Sequence, residues 1–372
     1  MGTRTFETMM VAGRFGIGSR ASSYANKLFA ALDIPEARIV NGKPGPRALL
    51  NILDHEIPDE DLVFWFAEVP NEEPKLVGEI KKKNKTCILV TSKRNRRTEG
   101  VDAGWQYTFL DLVGRALQTK SNLLVEFGAD KPGDQFWARV LDPLGNVFLD
   151  KTTNIGHVAL ALRRRTDELL RFTRVGSQCL GEHPIFVPQE GRFFSLVADY
   201  AERFHDLIHG VHSDRLLGNA SFRCMEGFPS FRHGRYIYVS RRNIDKRDIG
   251  EEGFVGIRLG ASDRVEYYGP HKPSVDTPIQ VRLYEYYRDI RYMIHSHTYV
   301  TGAPFTDRVI PCGAIEEVVE IMRLLPDPFL DYFAVNLRGH GSIVAAKDVD
   351  ALKSIPYEAR PTPEIHRSGY LS

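Results

Sequence analysis

Short apolar stretches alternate with helix-like stretches along the first half of the chain. The apolar runs predict β-strands at residues 8–12, 37–40, 62–66, 86–90 and 123–127. The stretches between the first of these runs predict helices at residues 22–32 and 46–53. Because strands that alternate with helices form βαβ units, this order predicts an α/β fold. We expect an open, mostly parallel, Rossmann-like sheet covered by helices.

The pattern changes after residue 130. Two apolar runs at residues 136–141 and 147–149 are separated by a turn-forming Pro-Leu-Gly-Asn segment, which predicts a hairpin. A helix is predicted at residues 158–171. Residues 176–191 contain two prolines and three glycines, so we expect a linker there. A further helix is predicted at residues 194–209.

The length of the chain supports a division into two domains. A chain of 372 residues is long for a single hydrophobic core. We therefore expect a Rossmann-like α/β domain of unknown role at residues 1–175, a linker at 176–191, and a second domain at 192–372.

Composition narrows the class of protein. An apolar content of 42% and a net charge of +1 are typical of a globular protein that attracts neither nucleic acid nor membrane through its overall field. Basic runs at residues 81–85, 93–97 and 163–165 are interpreted as solvated faces. No apolar run approaches the ~20 residues needed to span a bilayer, and no secretory signal is evident. The four cysteines form no C-x-x-C pair, so we expect reduced thiols in a cytoplasmic protein.

Three histidines and one aspartate in the second half are candidate metal ligands. His295 and His297 form an H-x-H pair after a short apolar run, and a strand would place both imidazoles on one face. His340 lies between two glycines, which allow the backbone to turn sharply. Together with Asp276, these are the donor types of a catalytic zinc site. The other interpretation is that each histidine only serves a local hydrogen bond.

The same residues carry a family resemblance. Residues 202–352 resemble the class II aldolase/adducin superfamily, most closely L-ribulose-5-phosphate 4-epimerase and L-fuculose-1-phosphate aldolase. Four blocks match in order: G-N-A-S-F-R at 218–223, P-S-V-D-T-P at 273–278, H-S-H at 295–297 and G-H-G at 339–341. Asp276 precedes His295 by 19 positions, the spacing of this family. The resemblance implies a class II aldolase-like α/β/α domain.

The resemblance also implies a function. His295, His297 and His340 correspond to the family's metal ligands, with one Zn²⁺ ion per chain, and Asp276 to a catalytic residue beside the metal. The implied reaction is that of an aldolase or epimerase, which breaks a C–C or C–H bond of a hydroxy-carbonyl compound, a phosphorylated sugar, through a metal-stabilised enediolate. The family further implies a homotetramer with active sites at subunit contacts, in which a tyrosine from a C-terminal segment takes part. Tyr357 and Tyr370 are the candidates here.

The family's phosphate pocket is only partly present. Four residues match it: Gly218, Asn219, Ser240 and Ser274. The chain departs from the family pattern at Leu216, Arg241 and Val275, where a threonine, a glycine and a second serine are usual. The guanidinium of Arg241 can bind an anion in a bidentate manner. Asp276 could alternatively cap a turn, and Asn219 and Ser221 could be local turn-formers.

The glycine-rich segment at residues 13–20 follows the first predicted strand. In that position glycines let backbone N–H groups approach a phosphate, and a helix N-terminus favours an anion. The spacing is G-x-x-G-x-G, however, so the dinucleotide fingerprint is not met. A tight turn without a ligand is the other interpretation.

Three kinds of function therefore remain open. The first is a zinc-dependent lyase or epimerase. The second is a non-catalytic, adducin-like assembly module, which has no need for three converging imidazoles. The third is a bifunctional enzyme or sensor with a nucleotide-like ligand on the N-terminal domain.

Overall fold

The fold is that of a computed structural model of the chain. The structure describes residues 9–13, 20–34, 38–41, 60–66, 74–96, 107–131, 133–182, 187–208, 218–223, 236–261 and 264–366. The chain forms two compact units, one of Met1–Arg171 with Thr362–Ser372 and one of Phe172–Pro361. In the described part of the chain, no helix has both the length and the apolar character needed to cross a bilayer.

The first unit contains an eight-stranded sheet. Its strands are β1 (Met9–Gly13), β2 (Arg38–Asn41), β3 (Leu62–Trp65), β4 (Ile88–Arg96), β5 (Leu123–Ala129), β6 (Trp137–Leu141), β7 (Asn146–Thr152) and β18 (Glu364–Ile365). They lie in the order β18-β7-β6-β5-β4-β3-β1-β2. Strands β1 to β5 pair in parallel, whereas β6 and β7 form the predicted antiparallel hairpin. The expected open, mostly parallel sheet is confirmed.

Two of the described helices of the first unit match the helices predicted at residues 22–32 and 158–171. The described helices are α1 (Arg20–Leu32), α2 (Pro74–Val77), α3 (Glu79–Lys83), α4 (Phe109–Thr119) and α5 (Ile155–Arg171). Helix α4 has a capping box, in which the Thr108 hydroxyl and the Asp111 carboxylate each accept from the other residue's backbone N–H. The helix predicted at 46–53 and most of the glycine-rich segment, residues 14–19, lie outside the described residues.

The strand order of the first unit identifies its topology. Reading from the edge, β2, β1, β3, β4 and β5 follow the 2-1-3-4-5 order of flavodoxin-like, doubly wound sheets. All four residues of β3 are buried, as expected for a parallel strand covered on both faces. In such sheets the order in which successive strands are added reverses between β1 and β3, and ligands bind outside the carboxyl ends of these strands.

The second unit contains an antiparallel sheet of eight strands. They are β8 (Gly176–Gly181), β9 (Asn219–Arg223), β10 (Tyr236–Ser240), β11 (Phe254–Arg258), β12 (Arg264–Tyr268), β13 (Tyr292–Ser296), β15 (Tyr332–Leu337) and β16 (Gly341–Ala346). Their order is β15-β16-β13-β9-β10-β11-β12-β8, and only the β12–β8 pair is parallel. Two short strands, β14 (Tyr299–Val300) and β17 (Tyr357–Glu358), pair separately.

Helices cover both faces of this second sheet. They are α6 (Gly191–Leu207), α7 (Thr277–Tyr286) and α8 (Glu316–Leu324), with 3₁₀ turns at Glu251–Gly253 and Val349–Leu352. Alternate residues of each strand belong to different cores, because side chains point to opposite faces with period two. Tyr238 packs in the core that contains α6, whereas Ile237 and Val239 pack in the core that contains α7 and α8. The result is the expected α/β/α arrangement.

Three segments differ from the sequence predictions. Gly176–Gly181, assigned to the linker, forms edge strand β8, and the unit boundary lies at Phe172. The glycines at both ends of β8 do not prevent it from pairing with β12, because a strand at the edge of a sheet needs a partner on one side only. Strand β18, assigned to the second domain, pairs with β7 in the first unit. Tyr357, a candidate tail tyrosine, is buried against Tyr200 and Phe204 in the α6 core. Tyr370 lies outside the described residues.

Candidate metal centre

Three imidazoles converge in the interior of the second unit. His295 is on β13, His297 follows the end of that strand, and His340 is in the turn between β15 and β16. Their ring centroids are 4.8–5.3 Å apart. One nitrogen of each ring lies within 4.8 Å of the others. The three side chains are at most 5% exposed, so the cluster is shielded from bulk water.

Two glycines let the backbone close around β13. Gly218 (φ +97°) immediately precedes β9, and a Cβ there would overlap the carbonyl oxygen of His295 and lie 2.8 Å from the Ser296 Cα. Gly341 (φ +153°) begins β16, and a Cβ there would overlap the Ser296 carbonyl and lie 2.8 Å from the His297 Cα. Any other residue at either position would push a neighbouring strand away from the H-x-H segment. These glycines therefore set the spacing of the imidazoles.

The orientation of His295 is fixed by a backbone partner. Its Nδ1 lies 2.9 Å from the carbonyl oxygen of Ser342, so Nδ1 carries the proton and donates. The lone pair is then on Nε2, which lies 3.7 Å from Asp276 Oδ2. Burial, followed by the nearby His340, lowers the pKa of His295 to about 4. The ring is therefore neutral near pH 7, as a metal ligand must be.

His340 lies between a carboxylate and a thiol. Its Nδ1 lies 3.6 Å from Glu317 Oε2, in the first turn of α8, and its Nε2 lies 3.1 Å from Cys312 Sγ. Glu317 is fully buried. Burial, with Asp276 and Glu320 nearby, raises the pKa of Glu317 well above its usual range.

The carboxylate of Asp276 faces the cluster instead of capping the helix that it precedes. Asp276 occupies the N-cap position of α7, but its side chain makes no capping hydrogen bond. Its Oδ2 instead lies 3.4 Å from the side-chain nitrogen of Asn219. Asp276 is 8% exposed, and its Oδ1 accepts no hydrogen bond from a described residue. The interpretation of Asp276 as a turn cap is therefore wrong.

Asn219 links the strand to the loop that carries Asp276. Its side-chain nitrogen also donates to the hydroxyl of Ser274 (3.1 Å), and its oxygen accepts from the side chain of Gln280. All of these partners are far away in sequence, so Asn219 is not a local turn-former. Asn219 thus holds Ser274 and Asp276 beside the imidazoles.

The other residues predicted to bind phosphate have different surroundings. The Ser240 hydroxyl accepts from the backbone N–H of Ala220, and Ser240 is fully buried. Arg241 is partly exposed, and its backbone pairs with Pro273 next to Ser274. Val275, where the family has a second serine, is 47% exposed. The Ser240 side chain therefore binds the backbone of the neighbouring strand β9. Arg241 and Ser274 lie on two neighbouring segments.

Three residues beside the cluster were missed by sequence reasoning: Cys312, Glu317 and Lys246. Cys312 precedes His340 by 28 positions and belongs to no ligand motif. In the sequence, Glu317 looks like one of the acidic residues that are common in the first turn of a helix. Lys246 reads as part of a charged loop, yet it is 5% exposed and close enough to His295 to lower that residue's pKa. Burial lowers the pKa of Lys246 itself to about 8.

This donor set fits a divalent metal ion. Neutral imidazoles with one carboxylate are the ligands of catalytic zinc sites. His295 Nε2 is buried and makes no hydrogen bond with a described residue. A buried nitrogen lone pair of this kind is costly unless a proton donor or a metal ion satisfies it.

A family match covers most of the second unit. Residues 198–357 match the family described as Class II Aldolase and Adducin N-terminal domain. No curated protein matches the chain. Similar solved structures include an aldolase II superfamily protein from Pseudomonas syringae (16% identity, 44% of this chain, 68% of that chain, TM-score 0.30). YgbL from Klebsiella pneumoniae is another (12% identity, 44% and 94% coverage, TM-score 0.27).

A third similar structure is the DNA/pantothenate metabolism flavoprotein from Streptococcus pneumoniae (11% identity, 44% and 99% coverage, TM-score 0.31). The TM-scores of all three are too low to add to the family match. The four motif blocks, the α/β/α fold and that match agree with one another. Residues 198–357 are therefore a class II aldolase and adducin N-terminal domain.

Proposed function

We propose that the second unit is a zinc-dependent aldolase or epimerase that acts on a hydroxy-carbonyl compound, with a phosphorylated sugar as the expected substrate. The observation that carries the proposal is the convergence of His295, His297 and His340 beside the Asp276 carboxylate. A non-catalytic module would gain nothing from burying three imidazoles within 4.8 Å of one another, because each buried nitrogen must be satisfied.

The three histidines would hold the metal ion, one per chain. Imidazole ligands favour zinc over magnesium and calcium, which prefer oxygen ligands. A bound zinc ion would act as a Lewis acid toward adjacent carbonyl and hydroxyl oxygens and stabilise the charge that develops as a C–H or C–C bond breaks.

Asp276 is the proposed acid/base. The Asn219 amide holds its Oδ2, which leaves Oδ1 to take a proton from the substrate and return it. Asp276 lies next to His295 Nε2, so its carboxylate is beside the proposed metal ligands and need not be a ligand itself. The side chains of Asn219 and Ser274 would orient both the carboxylate and the substrate.

Two cationic side chains support an anionic substrate. Arg241 is partly exposed and lies on the segment that pairs with Pro273. The ammonium of Lys246 is buried, and its charge contributes to the lowered pKa of His295. They would replace the hydrogen bonds of the two missing hydroxyls, because guanidinium and ammonium groups both bind phosphate oxygens.

The family resemblance also supports a homotetramer. Exposed apolar side chains occur at Val319, Phe329 and Tyr332, and Tyr332 is on edge strand β15. Light scattering of the purified protein at micromolar concentration should give a mass above that of one chain. A monomer mass would overturn this part of the proposal.

The first unit offers a second candidate function. Its 2-1-3-4-5 strand order favours a ligand at the carboxyl ends of β1 and β3, where a nucleotide-like molecule would bind. Thermal unfolding of the full chain with ADP, NAD or FMN tests this. A stabilisation that persists in His295→Ala would support a separate site, and no shift with any of them would count against it.

Metal content tests the main proposal. The full-length protein, equilibrated with zinc and then dialysed, should retain about one zinc ion per chain. It should then turn over at least one member of a panel of phosphorylated and unphosphorylated ketoses and short aldehydes. Protein that stays metal-free would overturn the proposal. A metal-loaded protein that neither binds nor converts any member would overturn the sugar-phosphate assignment.

A further inference from the structure

We infer that Cys312 is an additional, thiolate ligand of the metal ion. This inference rests on the proposed function, because it assumes that the three histidines bind a metal. It goes further in assigning a sulfur ligand to a site whose motifs contain only nitrogen and oxygen donors. If this is so, the Cys312 sulfur would occupy one coordination position of the metal ion until a substrate displaces it.

The distances carry the inference. Cys312 Sγ lies 3.1 Å from His340 Nε2, and it lies within 4.8 Å of ligand atoms of both His340 and Asp276. Zinc–nitrogen bonds of about 2.0 Å and zinc–sulfur bonds of about 2.3 Å put two ligands of a tetrahedral site about 3.5 Å apart. The observed separation is about 0.4 Å shorter, so a shift of a few tenths of an ångström would let both atoms bind one metal ion. The Asp276–His295 pair, at 3.7 Å, has the same kind of spacing.

The local backbone fixes this position. Gly313, with φ +77°, lies so close to the Val275 carbonyl that a Cβ would be 2.8 Å from its oxygen. The Ala314 N–H donates to the Pro311 carbonyl, which closes the turn around Cys312. Ala314 also bridges to Arg174, and the Ile315 N–H donates to the Thr173 carbonyl. The turn is therefore held against the Asp276 loop on one side and the start of the unit on the other.

Thiol chemistry supports a ligand role over a simple hydrogen bond. A thiolate binds zinc strongly, and it forms when the thiol loses its proton to solvent as the metal binds. Cys312 is neither deeply buried nor fully exposed. It can therefore leave the metal when substrate oxygens arrive without opening the core. No electron transfer is needed, and the proton returns to sulfur when it leaves.

Cobalt(II) is the test, because a cobalt–thiolate bond gives a charge-transfer band in the near ultraviolet and imidazole ligands do not. The metal-free full-length protein is titrated with cobalt(II) and its absorption spectrum recorded. We expect the band in wild type and in Cys179→Ser, which removes an exposed thiol. We expect its loss in Cys312→Ser, with zinc affinity weakened by more than about tenfold, the lower end of what losing even an outer partner costs.

A second measurement avoids any dependence on how the variant folds. Wild-type protein is treated with iodoacetamide with and without zinc, and the labelled cysteines are located by mass spectrometry. Zinc should protect Cys312 and leave Cys179 unprotected. Cobalt binding without the band, or equal labelling of Cys312 with and without zinc, overturns the inference and leaves the histidine site intact. Failure to bind either metal overturns both the inference and the proposed function.

Discussion

The candidate site has two sides that are built differently. The imidazole side consists of His295, His297 and His340, on or directly beside paired strands, and is almost completely buried. The anion side consists of Arg241, Ser274 and Val275, which lie on loops after strands and are partly or largely exposed. The close approach of two glycines to the backbone of the H-x-H segment fixes the first side, whereas the second side is more open to solvent. We therefore expect substitutions on the imidazole side to affect metal and stability, and those on the anion side to affect substrate affinity.

The largest effect should come from removing an imidazole. His295→Ala deletes a proposed ligand whose orientation Ser342 fixes, so zinc affinity should fall by more than about 100-fold, the upper end for loss of an outer partner. Zinc content after dialysis and the circular dichroism spectrum are measured together. His157→Ala, at an exposed helix position, is the control. A variant that retains full zinc content would contradict the role of the imidazole side.

The next largest effect should come from removing the proposed proton acceptor, Asp276. Asp276→Asn keeps size and hydrogen bonding but cannot accept a proton, so kcat should fall by ~10²–10⁴. Zinc content should stay near the wild-type value, because the three histidines remain. Asp331→Asn, an exposed carboxylate paired with Lys347, is the control and should be neutral. If zinc is lost along with activity, Asp276 is mainly a ligand instead of an acid/base.

A smaller effect should follow from adding one methyl group beside β13. Gly218→Ala places a Cβ against the His295 carbonyl, whereas Gly260→Ala, at nearly the same φ (+96°), meets nothing within 4 Å. The control should cost only the backbone strain of about 1–2 kcal/mol. Gly218→Ala should lower the free energy of unfolding by about 1–3 kcal/mol more. Denaturant unfolding measures both, and equal losses would show that the close approach does not matter.

The smallest effect is the pH dependence of anion binding through Lys246, a buried residue outside the anion side. The pKa of Lys246 is lowered to about 8, so its positive charge is present below pH 8 and lost as pH rises through that value. KM for an anionic substrate should therefore rise above pH 8, by up to about tenfold per unit. Lys246→Met should raise KM below pH 8 and remove this dependence.

Arg241→Ala is the comparison for this last prediction. Lys246 is still present in this variant, so the variant should raise KM at every pH and leave the slope of the pH profile unchanged. It should change kcat little, because a remote anion contact contributes mostly uniform binding. A flat wild-type KM profile between pH 7 and 9 would contradict a role for Lys246.

The two sides also differ in how far the sequence predicts them. The imidazoles are on segments whose motifs specify backbone geometry, so Gly218, His295 and Gly341 could be recognised together. Glu317, in the first turn of α8, and Cys312, in a turn, also lie beside His340. No sequence spacing predicts that these two residues are close to His340. Lys246 was missed because sequence does not show that a charged loop residue is buried.

The fold shows the same limit. Apolar runs predict the strands β3 and β5 because buried parallel strands need continuous apolar sequence. The sequence predicts a linker at strand β8 because its residues are largely exposed and form no apolar run. The strand pairs with β12, which lies far along the chain. The short strand β18 contains no apolar run that would predict a strand. Its position depends on pairing with the edge of β7.

The pairing of β18 with β7 has a consequence for synthesis on the ribosome. Strand β7 ends at Thr152, but its partner begins at Glu364, after the whole of the second unit has been made. At roughly 5–20 residues per second, that edge of the nascent sheet stays unpaired for about 10–40 s. An unpaired edge can join another chain. Polysomes translating this protein therefore expose the same open strand on several neighbouring nascent chains at once.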